Sequence, residues 1–224
     1  MFEWLATFWV NYGTLLLEGT RDTFIMTVTS TCFAYLLGVP LGVVVTITAP
    51  NSLHPHRIAN MALGWIVNMG RSIPFIILLV ALIPVTRLIT GTALGVRGAI
   101  FPLVVAATPF VTRLVEQSLQ EVKGGLIEAA QSFGASTFQI VRKVMLRESL
   151  PSLVRGCAIT FITLFGYTAM AGAVGAGGLG DIAVRYGYYR YQNDVMIATI
   201  VILIIFVQLI QVISDRMARK IDHR

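Results

Sequence analysis

The chain of 224 residues is 56% hydrophobic and 12% charged, with a formal net charge of +6. Soluble domains carry roughly 25% charged residues, so much of this surface never meets water, and the chain is read as one integral membrane domain covering residues 1–224. The basic residues lie between apolar runs and at the C-terminus, as a cytoplasm-facing charge bias requires, which argues for membrane lipid and against nucleic acid as the charged partner.

The N-terminal segment 1–20 mixes aromatics and leucines with Glu3, Asn11 and Glu18 and is short for a crossing; it is expected to lie as an interfacial helix. It has no Lys or Arg before Arg21, so no cleaved signal peptide is expected. The first clear span is 24–48, uncharged, with Gly38, Pro40 and Gly42 inside it, which membrane helices tolerate. A turn, APNSLHPHR, follows. The next apolar run, 58–86, carries Arg71 near its middle, where a charge at the bilayer centre would cost at least ~2.5–3.5 kcal/mol. Two readings avoid that cost. In one, 56–70 lies along the interface and the span is 72–89, with Pro74 in its first turn; in the other, Arg71 faces a protein interior.

A third span is expected over 98–118, with Pro102 and Pro109 inside it and Arg113 near its far end. A fourth runs over 151–175, opening at Pro151, and a fifth over 195–214 without charge. The span interiors are read as free of Asp, Glu and His. Five spans put the termini on opposite sides. Arg57, Lys123, Arg142, Lys143, Arg147, Arg216, Arg219, Lys220 and Arg224 share one side; Arg21, Arg87, Arg97, Arg185 and Arg190 share the other. The larger group marks the cytoplasm, so the N-terminus is expected outside and the C-terminus inside. Cys32 and Cys157 sit in apolar stretches without CxxC spacing and read as small apolar side chains. His54-Pro55-His56 has no carboxylate near it and reads as plain loop; no metal and no cofactor are expected.

The segment 119–150 interrupts this pattern. LIEAAQSF is rich in strong helix formers, Gly134 supplies a helix stop at positive φ, and Ser136 with Gln139 spells a capping box for a second helix, TFQIVRKVML. On that helix Phe138, Val141 and Met145, and also Ile140 and Val144, recur at helical spacing. The result is a helical elbow on the cytoplasmic side, with Ala129, Ala130 and Ser132 giving a small-residue face that another protein can approach closely. An amphipathic loop resting on headgroups is the alternative on residue chemistry alone.

Glu128-Ala129-Ala130 followed by Gly134, on a cytoplasmic loop before the penultimate span, resembles the EAA motif of ABC importer permeases. RSIPFIILLVALIPVTRLITGT, PFVTRLVEQSLQEV, FQIVRKVML and GYTAMAGAVGAGGLGDIAVRYGYYRYQ resemble the methionine importer permeases in particular, over about 60–222. The resemblance implies an all-α type I ABC importer permease fold with five transmembrane helices, paired as a homodimer in a bacterial inner membrane. It implies a coupling loop of Glu128, Ala129, Ala130, Ser132, Phe133 and Gly134 docked on a cytoplasmic ATP-binding subunit, in two copies. It implies a periplasmic or lipid-anchored binding protein that delivers methionine. One departure is Arg147, where the family motif usually has proline; Pro151 stands four residues on and is expected to reset the backbone. The three lysines, Lys123, Lys143 and Lys220, follow no glycine, so no GxxxxGK[ST] phosphate loop is spelled. The chain is therefore not expected to be an enzyme, and ATP hydrolysis is expected on a separate polypeptide.

Other candidates carry two readings each. Tyr167 and Met170, three apart on one helical face, are packing residues or, as the resemblance implies, the gate of the translocation path. Arg71 is a headgroup anchor or a path contact. Gly172, Gly175, Gly177, Gly178 and Gly180 permit close packing or a mobile loop; the GxGxxG they spell follows a membrane helix rather than a strand, so it is no dinucleotide site. In the aromatic, charged loop after them, Arg185, Tyr188 and Arg190 are headgroup anchors or contacts for a binding protein. A permease for another small amino acid or peptide, or a self-sufficient secondary transporter or channel, remains the rival reading.

Overall fold

The computed structural model describes residues 2–221, with side chains from residue 7 onward. Arg224, counted with the basic tail, lies outside the described residues. Among the described residues every element is helical. In chain order they are α1 (Phe2–Ile47), α2 (Arg57–Ser72), α3 (Phe75–Ala81), α4 (Ile83–Thr90), α5 (Gly95–Gln120), α6 (Gly124–Ser132), α7 (Thr137–Ile140), α8 (Leu146–Glu148), α9 (Leu150–Ala171), α10 (Gly178–Ile182) and α11 (Asn193–Ile221). π-helical turns occupy Val141–Met145, Gly172–Ala176 and Ala183–Tyr188. Backbone groups in hydrocarbon must be satisfied within the chain, which leaves helices as the form such apolar segments take.

Four helical stretches are long and apolar enough to cross a membrane: Thr7–Ile47, Gly95–Gln120, Leu150–Ala176 and Asn193–Ile221. A fifth crossing is reached if the bent pair α2 and α3 counts as one. The chain folds into two compact units, residues 1–32, 74–105 and 161–210 in the first and 33–73, 106–160 and 211–224 in the second.

Two sequence expectations change here. No helix end separates the segment 1–20 from the first span: α1 runs unbroken for 46 residues. At 1.5 Å per residue it is about 70 Å long, more than twice a hydrocarbon core of about 30 Å. Nothing in its first half stops a helix, because Gly13 and Gly19 are its only glycines there and no proline precedes Pro40. The expected span 72–89 is instead two short helices. Ile73 is extended at φ −84°, ψ 123°, which ends α2, and Pro74 caps α3. Pro84 has no N–H to give Val80, so α3 closes at Leu82, whose own N–H turns to Leu78 and Val80, and α4 starts afresh.

In the first unit Leu16, Leu179, Ile182 and Val195 form a buried cluster. The Thr23 hydroxyl accepts from the Leu179 N–H at 2.9 Å, pinning α10 to α1. Gly175, Gly177 and Gly178 all hold positive φ, at 92°, 78° and 77°, and reverse the chain after α9. The returning backbone lies against α9: a Cβ on Gly172 would meet Asp181 and Gly180, and one on Gly180 would meet the backbone of Ala169. The glycine run is therefore a packed reversal.

In the second unit α1 meets α5 through Gly38 and Gly42, four residues apart. A Cβ on either would come within 2.7 Å of Val111 or Val115, a spacing that lets two helix backbones approach closely. Gly70 of α2 packs in the same way on Pro109. Gly64, also on α2, faces open space. Gly42→Ala is expected to destabilise by about 1–3 kcal/mol through overpacking, whereas Gly64→Ala gains up to about 1 kcal/mol of helix propensity. Thermal unfolding of the two purified variants in detergent checks the opposite signs.

Candidate functional site

The elbow belongs to the second unit, and its corners are built by local backbone chemistry. Helix α6 ends at Phe133, and Gly134 follows at φ 75°. The Gly134 N–H reaches the Gln131 carbonyl at 2.9 Å and the Ala135 N–H reaches Ala130 at 3.1 Å. This pair of bonds is a Schellman closure, which needs the left-handed residue that glycine supplies. Ser136 then caps α7. Its side chain accepts from the Gln139 N–H, and the Gln139 side chain accepts from the Ser136 N–H, at 3.4 and 2.8 Å.

The second helix of the elbow runs from α7 through the π turn into α8. In that turn the Leu146 N–H reaches back five residues to Val141. Positions five apart thereby share a face, and Ile140 and Met145 are both buried while Phe138 stands exposed. This differs from the 3.6-residue spacing expected for Phe138, Val141 and Met145. The expected reset at Pro151 is confined to Ser149, at φ −86°, ψ 0°. Its N–H and hydroxyl both return to Met145, at 3.0 and 2.8 Å. Pro151 occupies the first turn of α9, where its missing N–H costs nothing. Ser118 donates to Ser152, which donates to Glu121, so the helices on either side of the elbow are tied at 3.0 and 3.3 Å.

No residue of α6 is buried. Glu128, Ala129 and Ser132 are exposed, Ala130 is half-buried, and Phe133 is 92% exposed at the corner. The Ser132 hydroxyl donates to the Glu128 backbone carbonyl at 3.0 Å, and Glu128 lines a groove of about 420 Å³ with Gln131, Asn51 and Ser52. The elbow thus offers an apolar knob, an acidic side chain and a small-residue surface to whatever docks there.

The first unit holds Tyr167 and Met170. Tyr167 is half-buried and lies parallel on Phe75 with ring centroids 4.5 Å apart. Met170 is 49% exposed. One member of the expected pair is stacked on a ring and the other is exposed. Arg71 lies in the second unit, in the last turn of the amphipathic helix α2, and is exposed. The stretch expected as a loop after the glycine run is helical over residues 178–188; there Arg185 pairs with Asp181 at 2.8 Å, and Arg190, just beyond it, lies 4.5 Å over the Tyr186 ring. Tyr188 is exposed and packs edge-on to Tyr189.

Sequence reading missed three residues. Glu116 sits inside α5, only 8% exposed, which corrects the expectation of span interiors without acids. It accepts from Arg113 at 2.6 Å and from Gln120 at 3.3 Å, so its charge is compensated from its own helix. The Arg-x-x-Glu-x-x-x-Gln spacing carried that signal. Phe75, the partner of Tyr167, carried none, because the stack joins residues 92 positions apart in sequence. His54 is more than loop: its ring bonds Thr137 at 2.6 Å, while His56 accepts from the Ala59 N–H and caps α2.

Residues 38–224 match the family described as binding-protein-dependent transport system inner membrane component. The chain belongs to this family. As a member it is a helical inner-membrane permease component and not itself an enzyme. It is 48% identical to the probable D-methionine transport system permease MetI of Vibrio cholerae over 223 residues, 100% of this chain and 99% of the relative. It is 46% identical to the corresponding permease of Haemophilus influenzae, over 92% of this chain and 96% of the relative. Among solved structures, a chain of the inward-facing MetNI methionine ABC transporter superimposes with TM-score 0.94 at 48% identity, covering 95% of this chain and 99% of that one. A chain of an amino acid ABC transporter with histidines superimposes with TM-score 0.78 at 17% identity, covering 94% and 96%, and shares the fold.

Gly134→Ala, with open space around it but a left-handed φ, is expected to lose about 1–2 kcal/mol of local stability. Ser136→Ala is expected to lose about 1 kcal/mol. Amide hydrogen exchange over 124–146 reads both, with the spans unchanged.

Proposed function

We propose that this chain is the permease subunit of an ATP-driven importer that carries methionine, in one or both enantiomers, across the bacterial inner membrane. The observation that carries this is the likeness, at 48% identity, to a probable D-methionine permease along the whole chain and to a chain of a methionine ABC transporter over 95% of it. Two copies of the chain pair as a homodimer. Each elbow seats on one of two cytoplasmic ATP-binding subunits, with the C-terminus inside and the N-terminus outside. A periplasmic or lipid-anchored binding protein brings substrate to the outer face.

The elbow is suited to that task because its corners are fixed while its surface is free. A Schellman turn and a capping box hold α6 and α7 in one geometry. A push on Phe133 or Glu128 therefore moves the elbow as a piece, and the short junction at Ser149 hands the motion to α9. Further along α9, Tyr167 and Met170 are proposed to close the path. The polarizable thioether of Met170 suits both an adaptable plug and a thioether cargo. Arg71 is proposed to line the path at the end of α2, where its exposed guanidinium would meet a carboxylate. Arg185, Tyr188 and Arg190 are proposed to meet the binding protein, with Asp181 and the Tyr186 ring holding the two cations in place.

Co-purification tests the docking. Wild-type chain taken from native membranes in mild detergent is expected to bring down a P-loop ATPase. Phe133→Asp, at a side chain that touches little of its own chain, is expected to weaken that association about tenfold or more, equal to about 1.4 kcal/mol. Uptake of labelled methionine by vesicles holding the complex tests the cargo. Flux that needs no ATPase and follows an ion gradient instead would replace the importer with a secondary transporter.

Met170→Cys, in a Cys32→Ser, Cys157→Ser background, tests the gate. Its reaction with an impermeant maleimide from outside is expected to rise when the ATPase is trapped closed. A rate indifferent to the nucleotide state would remove Met170 from the path.

A further inference from the structure

The turn between α1 and α2 is unusually well built for a nine-residue connection, and one of its side chains crosses to the elbow. The His54 N–H donates to the Ile47 carbonyl at 2.9 Å and the His56 N–H to Thr48 at 3.0 Å. Asn51 takes φ 64° at the tip. The Asn60 side-chain amide donates to the Val45 carbonyl at 2.8 Å, and the His56 ring caps α2. Pro55 fixes its own φ and keeps His54 out of a helical conformation. A turn so restrained carries α1 and α2 with it when it moves.

From this base the His54 Nε2 meets Thr137 Oγ1 at 2.6 Å, joining residues 83 apart in sequence. Thr137 is the first residue of α7, next to the Ser136 cap, and the capping box uses Ser136 and Gln139 rather than Thr137. Its hydroxyl is left for the imidazole. The same turn faces the elbow across the groove lined by Asn51, Ser52, Glu128, Gln131 and Met145. The bond holds in any protonation state of the ring: Nε2–H donates to Oγ1, or Nε2 accepts the threonine proton.

We propose that His54 is a positioning residue of the transport cycle: through Thr137 it ties the α1–α2 turn to the elbow. Displacement of the elbow is then delivered to α1 and α2 as well as to α9. This rests on the importer reading above and adds a second mechanical link to it, made by a residue outside the elbow itself.

The test uses the whole complex in proteoliposomes and reads methionine uptake per ATP hydrolysed. His54→Ala and Thr137→Val are each expected to lower that ratio about three- to tenfold, the range one hydrogen bond supports, while the ATPase stays bound. The double variant is expected to be no worse than either single one. His54→Gln, whose side-chain amide reaches about as far as Nε2, is expected to restore most of the ratio, which a general loss of fold would not allow. An unchanged ratio in both single variants, additive losses in the double variant, or a failure of glutamine to rescue would each overturn the link while leaving the importer standing. Absence of any bound ATPase on the wild type would overturn both.

Discussion

The contact on which the second unit depends is the approach of α1 to α5 at Gly38 and Gly42. Lipid tails are as apolar as leucine, so helices in a bilayer gain little from hiding apolar surface and must gain from close packing instead. Val111 and Val115 fill the space that two absent side chains leave. Asn60 and the α1–α2 turn are placed by the end of α1, and the elbow by the end of α5, so both follow from how these two helices meet.

A second constraint is that each helix end needs a partner for its backbone groups. The chain meets it with different devices: left-handed glycines after α6 and α9, a reciprocal side-chain box before α7, and a histidine ring before α2. The devices are densest at the elbow and at the glycine reversal. Those are the places where helices must stop and still hold a defined direction.

Charge is placed by the same economy. Glu116 is tolerated inside α5 because Arg113 and Gln120 lie one turn away on the same helix. Asp181 and Arg185 pair in the same local way after the glycine reversal. Such pairs are set by helical spacing and stay intact when helices slide, whereas the His54–Thr137 bond joins distant segments and registers their relative movement.

The sequence by itself determined the membrane class, the number and order of apolar runs, and the elbow with its glycine stop and capping box. These depend on transfer of apolar residues and on hydrogen bonds that close within about five residues, so neighbours in the chain settle them. The tertiary structure alone decided that Phe75 stacks on Tyr167, that the glycine run packs on α9, and that His54 reaches Thr137. The π turn belongs between the two: its residues are local, but Ile140 and Met145 choose a five-residue spacing because both have a buried face to fill. Each of these outcomes turns on which distant segment lies alongside. Backbone packing in the folded chain sets that, and no short window of residues contains it.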